Sequence, residues 1–329
     1  MTQEVVRTAL KLFAAAAVAL SVAMTLGLEH AYWAGIPIWV IAQRQGSDLL
    51  NRSLMRIVGT LVGAGIGLAL LSQVQDPVAL SLAAGGLCAL CVIAAQRLPA
   101  HRSYGATVSA ITLVVIILPY LAGPPSPLAH AVDRVIATLI GVLCISVVMY
   151  RPKAQIPPST QSAPGTQAVV GVRPLRGALV RGAVMFAAAT GSALVLVALP
   201  SQPVMVAGMG LAILTALGAS MHDPGPFLRG VVPGTVIGVL VAWGFSALIW
   251  YAAPGPLLFG GVLGAILLAG SFLRAAPRTA GIAIDANIGF LLVAQLGLDR
   301  DIVASAGPSG AALIGAAVIV RLVLGRVAR

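Results

Sequence analysis

Asp285 is the acid that stands deepest inside an apolar run, with Asn287 two residues further on. If the helix that carries it starts near Thr279, the carboxylate lies roughly 9 Å along that helix, so it needs a cationic partner or a water-filled cavity. Carboxylates in such places mark proton or ion paths, and Asp285 is the candidate for proton coupling. The competing reading is structural, a contact to Arg278 or to another helix. A second group is basic. Arg44, Arg52, Arg56, Arg97 and Arg102, with Arg229, Arg274 and Arg278 further on, collect at one side of the apolar runs. Converging guanidinium groups concentrate anions and clamp a carboxylate bidentately, although the same residues also serve to orient a membrane protein. Arg134 stands on the other side beside Asp133, where orientation does not require it. The third group is aromatic. Tyr32, Trp33 and Trp39 flank or enter one short run, in a chain with only 5% aromatics. Tyr32 and Trp33 read first as an interfacial belt, and Trp39, about two turns deeper, is placed either to stack on an aromatic ligand or to pack.

Signatures of enzymes are missing. His222-Asp223 lies in a proline- and glycine-rich turn, and the sequence contains no phosphate-binding glycine loop and no His-rich ligand set, so no metal or cofactor is expected. Cys88-x-x-Cys91 has the spacing of a redox or metal pair, but no histidine or carboxylate stands near it in sequence. With Cys144 it reads as a set of small residues in apolar helices.

These residues must be positioned by membrane helices. The 329 residues are 59% hydrophobic and 9% charged, with a mean hydropathy of +1.01, more apolar surface than one soluble core can hide. A net charge of +11 would suit nucleic acid, but the basic residues are scattered between apolar runs and form no soluble basic face, which excludes that partner. The fold class is an all-α integral membrane protein of about twelve spans. The stretch from Gly35 to Gly67 reads as a helical hairpin around a basic turn, and Gly59, Gly63 and Gly67 line one face of its second helix for close approach by a neighbour. The second span, about 31–45, is short and holds Pro37. The eighth, about 203–220, begins at Pro203 and holds Gly208 and Gly210. Matching interrupted helices point to a transport site.

A nearly constant offset pairs Arg7 with Arg181, Gly59-Thr60 with Gly234-Thr235, Gly63 with Gly238, Arg97 with Arg274 and Gly141 with Gly315. Two parallel six-span units follow, residues 1–150 and 176–329, joined by a proline-rich cytoplasmic linker over 151–175. The first span is followed by Ala31-Tyr-Trp-Ala34, which imitates a signal-peptide cleavage site, but the offset places that span inside the repeated unit. With both termini in the cytoplasm, all but two of the 20 basic residues, Arg134 and Arg300, lie at the cytoplasmic side.

Several of these residues also carry a family likeness. Tyr32-Trp33-Ala34, Gln43 at the end of the second span, Arg56-x-x-Gly59-Thr60-x-x-Gly63-Ala64, Arg102-x-Tyr104, and Arg134 with Gly141 resemble the fusaric acid resistance and aromatic acid exporter family. The second half is similar to the family's C-terminal repeat, with Val206-Ala207-Gly208 in place of Tyr-Trp-Ala. The resemblance implies proton-driven efflux of aromatic or hydrophobic carboxylates across the inner membrane, and a periplasmic adaptor protein as partner. The large cytoplasmic segment between the halves of longer members is absent here.

The reading is therefore a proton-coupled exporter of small organic anions in the lipid bilayer, with Trp33, Trp39, Gln43, Arg52, Arg56, Arg102, Tyr104, Arg134, Arg229 and Asn287 as substrate-binding candidates. Alternatives are a passive anion channel, for which a basic ring suffices, and a non-transporting scaffold of an envelope complex. A homo-oligomer fits either. The orientation predicts that a cysteine introduced at Ser126 reacts with impermeant maleimide in intact spheroplasts, whereas one at Ser162 is shielded until the membrane is opened. The reverse pattern would invert the topology.

Overall fold

Proline sets the start of many of the apolar helices and glycine sets how closely they approach one another. The computed structural model describes residues 2–41, 46–123, 126–149, 174–252, 255–296 and 300–327. The linker residues 151–173, with Gln43 and Arg44, lie outside that set. The described residues form α1 (Gln3–Thr25), a 3-10 turn (Ala31–Ala34), α2 (Ile36–Ile41), α3 (Gly46–Gln73), α4 (Pro77–Arg97), α5 (Ala100–Ala122) and α6 (Pro127–Met149). They continue with α7 (Leu175–Ala198), α8 (Gln202–Ser220), α9 (Gly225–Ala252), α10 (Pro256–Ala275), α11 (Ala280–Ala294) and α12 (Arg300–Val327). At α4 the start is explicit: Pro77 fills the first turn, where no amide donor is needed, and the Asp76 carboxylate accepts from the Ala79 N–H at 2.7 Å.

Ten of these helices are long and apolar enough to cross a membrane, making this a multi-pass helical membrane protein. The other two expected spans are short. Of the second, the described residues form the 3-10 turn and the six residues of α2, and α11 has 15 residues. At 1.5 Å per residue α11 covers about 22 Å, less than a hydrocarbon core of about 30 Å.

The eighth span differs from the expectation of an interrupted helix. It is continuous, because Pro203 falls in its first turn, where proline is tolerated. Gly208 and Gly210 are packing positions: a Cβ on Gly208 would meet the Ser192 Cβ at 3.1 Å, and one on Gly210 would run into Leu313. Elsewhere the helices run further than the apolar runs. The third and ninth helices begin at Gly46 and Gly225, well before the hydrocarbon-compatible stretches, because a helix continues into the polar interface without needing apolar side chains.

Helix pairs recur in both halves. α3 lies along α5 and α9 along α11; α4 packs on α7 and α1 on α10; α5 packs on α8, and α11 on α2 and the 3-10 turn. The expected glycine stripe drives the first of these. A Cβ on Gly63 would stand 2.5 Å from the Ser109 carbonyl oxygen and 2.8 Å from the Thr112 Cβ, and one on Gly59 would meet the Gly105 carbonyl. In α9, Gly234 and Gly238 meet α11 in the same manner, Gly234 against the Ile282 carbonyl at 2.5 Å and the Asp285 Cβ at 2.8 Å. Cys88 spans α4 and α5, its thiol 3.6 Å from the Ala110 carbonyl, and all three cysteines are free.

Hydrogen bonds fasten the helix ends, those of Gln96 and Arg274 across the two halves. Arg181 Nη1 donates to the Ala219 and Met221 carbonyls at 3.1 and 2.7 Å, and the Gln96 amide donates to the same Ala219 oxygen, so the carbonyls left open at the end of α8 are filled. Arg274 Nε donates to the Trp39 carbonyl at 3.0 Å. Packing at the glycines should be unforgiving. Gly63→Val is expected to cost about 1–3 kcal/mol, the usual range for overpacking, and to lower the melting temperature in detergent. Gly65→Val, with nothing within 4 Å of its Cβ position, should leave it unchanged.

Candidate functional site

The site is built on α6. Gly141 carries no side chain to hold its neighbours away, and a Cβ there would collide with the Ala34 carbonyl and stand 3.0 Å from Pro37 Cγ, so the 3-10 turn and α2 sit directly on this helix. Arg134 lies seven residues earlier, two helical turns along the same face. Its guanidinium carbon is 3.6 Å from the centroid of the Trp33 ring, a cation–π contact. Only 1% of Arg134 is exposed, and its Nε and Nη1 have no hydrogen-bond partner. Asp133 is turned elsewhere, its Oδ2 3.4 Å from His30 Nδ1. A buried guanidinium with idle donors suits a carboxylate or another oxyanion.

Tyr32 and Trp33 therefore correct the expectation of an interfacial belt. Both are buried, because the 3-10 turn folds inward onto α6 and α11. Exposed aromatics lie elsewhere, Phe186 on α7 and Trp250 and Tyr251 at the end of α9, the tyrosine 85% exposed. Trp39 is fully buried, and its indole N–H has no partner.

A second cluster lies on α3 and α5. Arg56 is 3% exposed; its Nη1 donates to the Tyr104 hydroxyl at 3.0 Å, and its Nε has no partner. Arg52 stands 5.6 Å from the centroid of the same Tyr104 ring. The Ser53 and Ser146 hydroxyls, 2.9 Å apart, tie α3 to α6, and Arg56 and Arg134 are close enough for their charges to interact.

The structure does not gather every candidate. Arg102 and Arg229 are exposed and join neither cluster, as are Arg97 and Arg278. Asp285 is 4% exposed, with its Oδ1 unpartnered, and faces α9 at Gly234. Among the described residues it makes no ion pair with Arg278. Asn287, two residues and about 200° round the helix, points away from it: its amide donates to the Gly270 carbonyl at 3.3 Å and the Ala283 carbonyl at 2.7 Å. Of the hydroxyls at the matching place in the first half, Thr107 and Ser109 donate back to the Ser103 and Gly105 carbonyls of their own helix, and that of Thr112 has no partner.

A cavity of about 120 Å³ adjoins Trp33 where α5, α6, α8 and the end of α11 meet, and sequence reasoning missed it. His30, His130, Gln202 and Gln295 supply its polar lining. His130 Nε2 lies 3.1 Å from the Val115 carbonyl, which fixes the ring proton there and leaves Nδ1 as an unpartnered lone pair. Gln202 Nε2 donates to Gln295 Oε1 at 2.9 Å, across the two halves. The usable signal was the rarity of histidine: His130 stands in the first turn of an apolar helix, where a polar ring needs a reason. His222-Asp223 behaves as a turn, Asp223 accepting from the Gly225 N–H at 2.9 Å. Among the described residues no group of histidine, cysteine and acids is arranged to hold a metal ion.

No curated protein and no solved structure matches the chain. The model of the fusaric acid resistance protein family matches residues 5–152, the stretch that supplies Trp33, Arg52, Arg56, Tyr104, Arg134 and Gly141. That stretch, a little under half of the chain, is similar to the fusaric acid resistance protein family.

Proposed function

We propose that this membrane protein exports small organic anions, aromatic or hydrophobic carboxylates, in exchange for protons. The observation that carries the reading is Arg134: a permanently charged group sealed from water, with two donor nitrogens idle and an aromatic ring against it. Leaving such a charge uncompensated costs several kcal/mol, which an incoming carboxylate offsets. Arg52, Arg56 and Tyr104 would meet the anion on the cytoplasmic side, and Arg134 with Trp33 nearer the periplasm. Neither cluster needs a metal or cofactor to bind an oxyanion.

Asp285 is the proposed proton carrier. It lies where α9 and the short α11 are in close contact, so a change in its charge acts directly on that packing. The matched helix pairs support a chain of two parallel six-helix units, 1–150 and 176–329, with the exchange of conformations occurring where the short α2 and α11 meet. An inner-membrane location with cytoplasmic termini, a periplasmic adaptor and a homo-oligomer belong to the same proposal.

The decisive experiment is accumulation of an aromatic carboxylate by inverted vesicles with an imposed pH gradient. Wild-type protein is expected to concentrate the anion; leak without accumulation would support a channel, and no flux a scaffold. Asp285→Asn should reach normal abundance and keep downhill exchange while losing gradient-driven accumulation. Undiminished accumulation with the same pH dependence would remove Asp285 from the mechanism. Arg134→Lys, which keeps charge but not the planar fork, should lower apparent affinity about tenfold or more, equivalent to about 1.4 kcal/mol, as read from the concentration dependence of uptake.

A further inference from the structure

We propose that the preferred anion carries two negative groups at opposite ends of one elongated molecule, with Arg134 holding one end and Arg56 the other. This rests on the anion-export reading and narrows its substrate class.

The argument is one of charge balance. Both guanidinium groups are permanently charged, both are almost completely buried, and each keeps at least one N–H without a partner: Nε of Arg56, and Nε and Nη1 of Arg134. Their charges act on each other. Among the described residues no carboxylate pairs with either. Asp133 adjoins Arg134 in sequence and its charge is felt there, but its carboxylate is turned to His30. Asp76 caps α4, and Asp285 lies between α9 and α11, away from the helices that hold the two arginines. An anion of single charge would satisfy one guanidinium and leave the other buried and unpaired, at several kcal/mol. A doubly charged anion satisfies both.

Spacing decides how the two charges are arranged. The Ser53–Ser146 hydrogen bond sets the start of α3 beside the end of α6. Arg56 is one turn from Ser53 and Arg134 is twelve residues before Ser146, so their backbone levels differ by roughly 13 Å along the helices. Each end also has an aromatic group, Tyr104 at Arg56 and Trp33 at Arg134, which suits a flat ring between the charges. Charges on adjacent ring atoms would reach only one of the arginines.

Three probes separate the cases: benzoate with one carboxylate, phthalate with two adjacent, and terephthalate with two opposed. Purified full-length protein is titrated with each at neutral pH, thermal stabilisation is read as affinity, and uptake into proteoliposomes under a pH gradient is measured in parallel. Terephthalate is expected to bind and accumulate at least tenfold better than benzoate or phthalate. Arg56→Gln should erase most of that advantage by lowering terephthalate more than benzoate. The wild-type comparison does not depend on any variant folding. If benzoate is exported and terephthalate gains nothing over it, or if Arg56→Gln weakens both alike, the two-charge inference fails while anion export stands. If phthalate matches terephthalate, the opposed arrangement is wrong. If none of the three binds or moves, the inference falls together with the export reading.

Discussion

A guanidinium shut away from water must find compensation, and much of the first half is arranged around that requirement at Arg134. Gly141 brings the backbone of the 3-10 turn onto α6, which lays the Trp33 ring against the charge. The ring supplies part of what water would have given, on the order of 2 kcal/mol when the pair is desolvated. The remainder is left open. A protein that needed Arg134 only for stability would have closed it with a carboxylate, and Asp133 is next in the chain for that purpose, yet it is turned to His30. The unfilled donors are thus a property of the fold, held by the same glycine that closes the turn.

The second half solves a related problem differently. α9 and α11 approach at Gly234 and Gly238 as α3 and α5 do at Gly59 and Gly63, but the residue brought to the seam is an acid, where the first half has hydroxyls bonded to their own helix. The cation Arg134 stands in one half and the acid Asp285 in the other. Each is buried, and they are on different helix pairs.

Much of this was legible in sequence and some of it was not, for physical reasons. Glycines at every fourth residue predicted close helix approach, and they deliver it, because close packing between membrane helices depends on small residues. Arg134 was legible because orientation did not need it. Burial of Tyr32 and Trp33 was not, since in a membrane the faces turned to lipid and to protein are equally apolar and periodicity does not separate them. Arg102 and Arg229 are exposed and stand apart from the two buried clusters, a separation that nearness to one mouth in sequence does not reveal. The Gln202–Gln295 contact joins residues of distant helices, and no local pattern announces such a meeting. Pro203 misled because the same residue breaks a helix in its interior and opens one at its first turn.

The shortness of α11, which packs against α2, has an electrical consequence. Water at both ends of α11 would leave a barrier of about 22 Å there, instead of the about 30 Å of a full hydrocarbon core. The same membrane potential then falls over roughly three quarters of the distance, so the local field is about a third steeper. Each elementary charge crossing the whole potential is worth about 2.3 kcal/mol per 100 mV. Were the proposed anion export to run through this seam, an interior-negative potential would push each anion outward across it.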